Sequence, residues 1–253
     1  LVAAVAGLVG FLVWERRTRY PLVDLGLLGN RVFALSSLSS MMSFLSTSSV
    51  IFLIPFYLEG VLHYQPREVG TVLIAQPLAI ALTAPLSGAL SDRFGYRWLN
   101  LAGLIAICSS LALMSTLTVE STQLGVMTRL GLMGFGQGIF QSPNNNAIMG
   151  AAPKERLGLA SAMMATMRNL GFSFGIAVGG TLFPLRLVAH GAELVGTPLE
   201  IGARNSQLFV GAMQETFLIA AALASIGLLS SIVRGGAPRD VRPMSAAPAD
   251  IRR

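Results

Sequence analysis

Residues 68–117 read EVGTVLIAQPLAIALTAPLSGALSDRFGYRWLNLAGLIAICSSLALMSTL, two apolar runs joined by a short charged segment. An α-helix needs about 20 residues to cross the hydrocarbon core of a bilayer, and each run is close to that length. The charged segment between them is too short for a soluble domain. This stretch therefore predicts two membrane-spanning helices connected by a tight turn.

The rest of the chain has the same character. Of its 253 residues, 53% are hydrophobic and 12% charged, and the mean hydropathy is +0.65; a soluble domain carries about 25% charged residues. We therefore predict an all-α membrane protein. The predicted spans are residues 32–58, 68–90, 99–117, 123–149, 157–185 and 208–233, and residues 1–13 are expected to be the end of a preceding span.

Basic residues predict the orientation. If residues 14–31 form a cytoplasmic linker, a tail over residues 234–253 lies on the same side. That side then holds thirteen of the 18 Lys and Arg residues, including those of the tail. The other side receives three, and Arg129 and Arg168 lie within spans. The positive-inside rule then places linker and tail in the cytoplasm. The bundle is predicted over residues 32–233, and its expected location is the inner (plasma) membrane. Nucleic-acid binding is not expected, because these basic residues alternate with apolar runs.

The charged segment is the sharpest local motif. Its glycines permit tight backbone geometry, and its charges allow ion pairs across the turn. Two interpretations are open: an ordinary polar turn, or a clasp that holds one conformation and releases in another. The motif residues are Gly88, Asp92, Arg93, Gly95 and Arg97.

This segment resembles the signature loop of the major facilitator superfamily, approximately G-x-L-A-D-R-x-G-R-R, from which it departs at Ser91 and Tyr96. Two further stretches resemble the fourteen-span drug:proton antiporters of the EmrB/QacA type. They are WERRTRYPLVDLGLLGNRVF (residues 14–33), and GFGQGIFQSPNNN (residues 134–146) followed by RNLG (residues 168–171).

The resemblance implies a six-helix C-terminal bundle containing the ninth to fourteenth spans, with residues 1–13 ending the eighth. The expected partners are the preceding half of the transporter, a small-molecule substrate, protons and the lipid bilayer. The implied activity is proton-coupled export of amphipathic or cationic compounds by alternating access. Alternatives are an exporter of one metabolite, lipid or siderophore, or a truncated product without transport activity.

Four amides recur along the fourth span, at Gln137, Gln141, Asn144 and Asn145. At this helical spacing they share one face, which is expected to meet protein or a water-filled cavity. Either they bind neighbouring helices, or they form the wall of the translocation cavity. Pro143, between them, is expected to kink the helix or interrupt its hydrogen bonding.

Small residues at four-residue spacing predict close helix packing. One pair lies in the fourth span and a longer ridge in the fifth: Gly134 and Gly138, then Gly171, Gly175 and Gly179.

Arg168 lies roughly 18 Å into the fifth span, where an arginine costs at least about 2.5 kcal/mol unless it is paired or hydrated. We predict that it faces the interior and bonds amides or carbonyls; the alternative is that it extends toward the cytoplasm. Glu215, about two turns into the last span, is the best local candidate for protonation. The main coupling carboxylate is expected in the preceding half.

No catalytic or cofactor site is predicted. The two histidines, His63 and His190, fall in separate loops, so no metal cluster is expected. An intramembrane enzyme needs an acid/base constellation at membrane depth, and the spans suggest none.

Overall fold

The computed structural model describes residues 25–191 and 197–234, except for the side chains of residue 25 and residues 92–94. The predicted end of a preceding span at residues 1–13, the linker up to residue 24 and the tail from residue 235 lie outside the described residues. All six complete predicted spans lie inside them.

Each predicted span forms a helix, and its ends differ from the prediction by no more than about one turn. No strand occurs in the described ranges. The helices are α1 (Leu25–Leu28), α2 (Arg31–Phe56), α3 (Pro66–Leu73), α4 (Ala75–Phe94), α5 (Tyr96–Met114), α6 (Gln123–Gly150), α7 (Leu157–Ala189), α8 (Pro198–Arg204) and α9 (Ser206–Val233). A π-helical turn, Tyr57–Val61, extends α2.

Five of the long segments are apolar enough as well as long enough to cross a membrane: Arg31–Val61, Pro66–Ser91, Tyr96–Met114, Lys154–Ala189 and Ser206–Val233. Helix α6 has 28 residues and is also long enough. It is not among the five, because its glycines, its amides and Arg129 lower its hydropathy. Among the long helices, the least apolar one is thus the helix that carries the amide stripe.

The long helices pack as two groups of three. Helix α2 packs against α7 and α9, and α6 packs against α4 and α5. Contacts of α5 with α9 and of α2 with α6 join the groups. Buried side chains from both groups form one continuous apolar core that includes Tyr57, Ile107 and Phe217.

Glycines lie where helices approach most closely. A Cβ on Gly171 or Gly175 would collide with the α2 backbone at Met41 or Leu45. On α6, a Cβ on Gly134 would collide with the Gln76 carbonyl of α4, and one on Gly138 with Thr83. Gly179 continues the α7 ridge in looser contact with Ser49 and Phe52.

Helix α6 continues through Pro143 without a break. A proline has no N–H, so the carbonyl of Ile139, four residues earlier, loses its helical donor. The Ser87 hydroxyl of α4 donates to that carbonyl at 2.7 Å. A neighbouring helix therefore satisfies the group that Pro143 leaves open.

We call one side of the bundle the basic end; it contains Asn30, Gly95, the 151–156 turn and Arg234. Asn30 caps α2 by accepting from Val32 N at 2.9 Å and donates to the Ala151 carbonyl at 3.1 Å. Gly95 alone separates α4 from α5, with φ +80°, a conformation that favours glycine. The opposite end contains the 62–65 and 115–122 turns and α8.

Candidate functional site

The amides of α6 lie in different surroundings. Asn144 is buried, at 1% exposure, and donates from Nδ2 to the Ser36 carbonyl of α2 at 3.1 Å. Its Oδ1 accepts from Arg234 Nη1 at 3.4 Å. Asn144 therefore connects three helices at the basic end.

Arg234 is the centre of that connection. Its Nη1 donates to Ser36 Oγ at 2.6 Å, and its guanidinium lies over the Tyr96 ring at 5.0 Å from the centroid. Burial lowers the pKa of the Arg234 guanidinium from its ordinary value. The sequence assigned Arg234 to the tail, but its side chain is part of the bundle.

Gln137 also bonds a neighbouring helix. Its Oε1 accepts from Gln76 Nε2 of α4 at 3.0 Å, and both side chains are buried. The 3.0 Å bond fits the interpretation in which amides hold helices together.

Gln141 and Asn145 instead line a cavity of about 160 Å³ between α2, α6 and α7, which we call the polar cavity. Arg168 lines the same cavity from α7. The other lining residues are Ser40, Phe44, Ser161, Met164 and Ala165.

Arg168 is exposed on this face of the bundle, about 17 Å along α7 from Leu157. Within the described residues it makes no hydrogen bond or ion pair, so the expected bonds to amides or carbonyls are absent, although Gln141 and Asn145 share its cavity. Arg129 differs: it donates to the carbonyls of Leu113 and Gly125 and to Thr116 Oγ1, at 2.8 to 3.1 Å. Arg129 thus closes the α5–α6 turn, and Arg168 keeps its donors available.

A second cavity of about 440 Å³, which we call the apolar cavity, lies nearer the opposite end. Phe44 lines both cavities, and Phe172, one turn beyond Arg168, lines the apolar one. The two cavities are therefore adjacent, and α7 contributes Arg168 to the polar cavity and Phe172 to the apolar one. The remaining lining residues are Thr47, Ile51, Ile54, Pro55, Leu73, Gln76, Pro77, Ile80, Leu130 and Gln137.

Glu215 of α9 is paired with the end of α7. Its Oε2 lies 3.3 Å from Arg186 Nε, and its Oε1 lies 3.2 Å from His190 Nε2. The Glu215 side chain is 41% exposed. This cluster is far along α7 from Arg168, so the structure does not bring the carboxylate into the polar cavity.

The charged motif lies at the α4–α5 junction. The side chains of Asp92 and Arg93 lie outside the described residues, and Arg97 is exposed. A Cβ on Gly88 would lie 3.4 Å from Ser142 Oγ of α6, so the motif packs closely on the amide-bearing helix. Tyr96, where the resemblance departs from arginine, contacts Arg234.

The sequence did not predict five residues that make these side-chain contacts: Gln76, Tyr96, Arg186, His190 and Arg234. All pair with residues distant in sequence, and periodicity within one helix carries no information on such partners. His190 and Tyr96 were named beforehand, but only as an isolated loop residue and as a departure from the signature loop.

Comparison with known proteins agrees with this architecture. The family described as Major Facilitator Superfamily matches residues 36–246 of the chain. This range covers all of the long helices apart from the first turns of α2.

Of three similar proteins, two are transporters by name, and the third is named for multidrug resistance. The "Riboflavin transporter RibZ" of Clostridioides difficile is 29% identical over 86% of this chain and 46% of its own length. The "Multidrug resistance protein Stp" of Mycobacterium tuberculosis is 32% identical over 75% and 35%. The "Uncharacterized transporter YebQ" of Escherichia coli is 37% identical over 62% and 35%. The chain thus spans between about a third and a half of these relatives.

Proposed function

The chain belongs to the major facilitator superfamily, and from this we propose that it is the C-terminal half of a proton-coupled exporter of amphipathic compounds. The observation that carries the proposal is a pair of adjacent cavities, the polar one between α2, α6 and α7 and the apolar one mainly between α2, α4 and α6. One has Arg168 and two amides without hydrogen-bond partners among the described residues, and the other is largely apolar. A preceding half packed over this side would enclose a substrate at mid-membrane, and rocking of the halves would give alternating access.

The motif loop and the membrane orientation belong to the same proposal. The basic end faces the cytoplasm, in accordance with the positive-inside rule. There the α4–α5 junction, which contains Asp92, Arg93 and Arg97, acts as a gating loop that holds one conformation. The proposed transporter has fourteen spans, lies in the inner membrane, and contains eight spans before the six of this chain.

Proton coupling involves Glu215 as a local protonation site. Protonation removes the charge that holds Arg186, and thereby loosens the contact of α7 with α9. Because α7 also carries Arg168, a change at Glu215 can reach the polar cavity along one helix. The main coupling carboxylate lies in the preceding half.

A test uses the full-length transporter in inverted vesicles with a proton gradient and a pH-sensitive dye. Amphipathic and cationic compounds should release part of the gradient, and Glu215→Gln should reduce that release without abolishing it. Glu120→Gln, a matched change at an exposed turn, should leave it unaltered. No release by any compound, with correctly inserted protein, contradicts the proposal.

A transporter of one metabolite is the second candidate, favoured by the relative named as a riboflavin transporter. The same assay separates the two. Release by many unrelated compounds indicates multidrug export, and release by riboflavin alone indicates a narrow exporter.

A further inference from the structure

Resting on the proposed function, we propose that the preferred substrates are amphipathic anions. Their charged head binds Arg168, Gln141 and Asn145 in the polar cavity, and their apolar body occupies the apolar cavity. Cationic compounds are correspondingly disfavoured at this site.

The charge of the polar cavity favours an anion over a cation. Arg168 is the one charged side chain lining either cavity, and among the described residues no carboxylate lines them. Arg168 also makes no ion pair within the described part of the chain. A cation would therefore meet an uncompensated like charge, whereas a carboxylate would form charge-assisted hydrogen bonds.

The hydrogen-bond donors around the polar cavity suit an anionic head group. Arginine offers five N–H donors in a planar fork that matches a carboxylate, and the side-chain amides of Gln141 and Asn145 add further donors from α6. These three side chains lie around a space of about 160 Å³. One water takes up about 30 Å³ of liquid, so the space holds an anionic head with some hydration.

The size and position of the apolar cavity suit an apolar body. Its 440 Å³ falls within the usual range of ligand pockets. Phe44 contacts both spaces, and Phe172 follows Arg168 by one helical turn. A molecule with one charged end can therefore place that end at Arg168 and its apolar body beside Phe172, one turn further along α7.

Two probes with the same body test the inference: diphenylhexatriene carrying either a propionate or a trimethylammonium group. In the full-length transporter with Cys108→Ser, Ser161→Cys places a reporter thiol in the polar cavity without altering the three proposed ligands. The rate at which N-ethylmaleimide labels this thiol measures occupancy without any proton gradient.

The propionate probe should protect the thiol at a concentration at least about tenfold lower than the trimethylammonium probe. Arg168→Gln should abolish this difference, and Arg168→Lys should retain part of it. Arg204→Gln, which removes an exposed arginine of α8, should leave the difference unchanged. Equal protection by both probes, stronger protection by the cation, or no protection by either probe overturns the inference. So does an Arg168→Gln variant that weakens both probes equally.

A separate experiment uses the full-length transporter reconstituted in proteoliposomes and measures the gradient-driven loss of probe fluorescence. Head-selective protection without gradient-driven loss contradicts proton-coupled export and leaves the binding inference standing. Gradient-driven loss that favours the cation supports export and overturns the inference.

Discussion

Asn144 and Asn145 are adjacent and chemically identical, yet they occupy opposite kinds of surroundings. Asn144 is buried among Ser36 and Arg234, and Asn145 lines the polar cavity with Arg168. Gln137 and Gln141 also differ: Gln137 bonds Gln76 at the border of the apolar cavity, whereas Gln141 lines the polar cavity. One helix thus uses the same chemical group to hold the bundle together and to line a binding space.

Helical geometry explains the division. Each residue advances about 100° around the axis, so Asn144 lies roughly 20° to one side of Gln137. Gln141 and Asn145 lie roughly 40° and 80° to the other side. The four amides therefore cover an arc of about 100°. Asn144 is at the edge that contacts neighbouring helices, and Asn145 is at the edge that lines the polar cavity.

The largest expected effect is on stability, at Asn144. Asn144→Leu removes the side-chain donor to the Ser36 carbonyl and an acceptor from the buried Arg234, so it should lower the free energy of unfolding by about 2–3 kcal/mol. Asn145→Leu should change it by less than about 0.5 kcal/mol. Unfolding of the full-length protein in mixed micelles measures both, and equal losses would break the comparison.

An intermediate effect is expected for the buried amide pair. Gln137→Leu should lower the unfolding free energy by about 1 kcal/mol, because it leaves Gln76 without a partner. The double variant Gln76→Leu/Gln137→Leu should recover part of that loss, with a coupling energy of about 0.6–1.7 kcal/mol. Purely additive losses would show that the two amides do not stabilise each other.

The smallest effect should appear in transport alone. Gln141→Leu or Asn145→Leu should reduce export of an amphipathic anion about three- to tenfold, since each removes one hydrogen bond to the substrate. Stability should remain unaltered. Asn146→Leu is the matched control, because Asn146 is exposed near Asn30 and Tyr96 rather than in the polar cavity. An equally large reduction of export in Asn146→Leu would show that the cavity amides have no special role in transport.

The sequence predicted the helices well, because apolar length and charged turns determine them locally. Helix α8 was not predicted, although Thr197, Pro198 and Glu200 form a proline-led capping box. That signal was hidden within a segment that reads as a loop between spans.

The division of the amide stripe was beyond the sequence. Gln137 and Gln141 are only about 40° apart on α6, and which of them is buried depends on where Gln76 and Arg168 lie. Those positions follow from packing between helices distant in sequence. Arg234 illustrates the same limit, since its partners Ser36 and Asn144 are 198 and 90 residues away.

The most direct test places a single cysteine at position 144 or 145 of the full-length transporter with Cys108→Ser, followed by labelling with N-ethylmaleimide in intact membranes. Asn145→Cys should react at least about tenfold faster than Asn144→Cys, because only the former opens into the polar cavity. Equal rates, or faster labelling at position 144, would contradict the division of α6 into a bonded edge and a cavity edge.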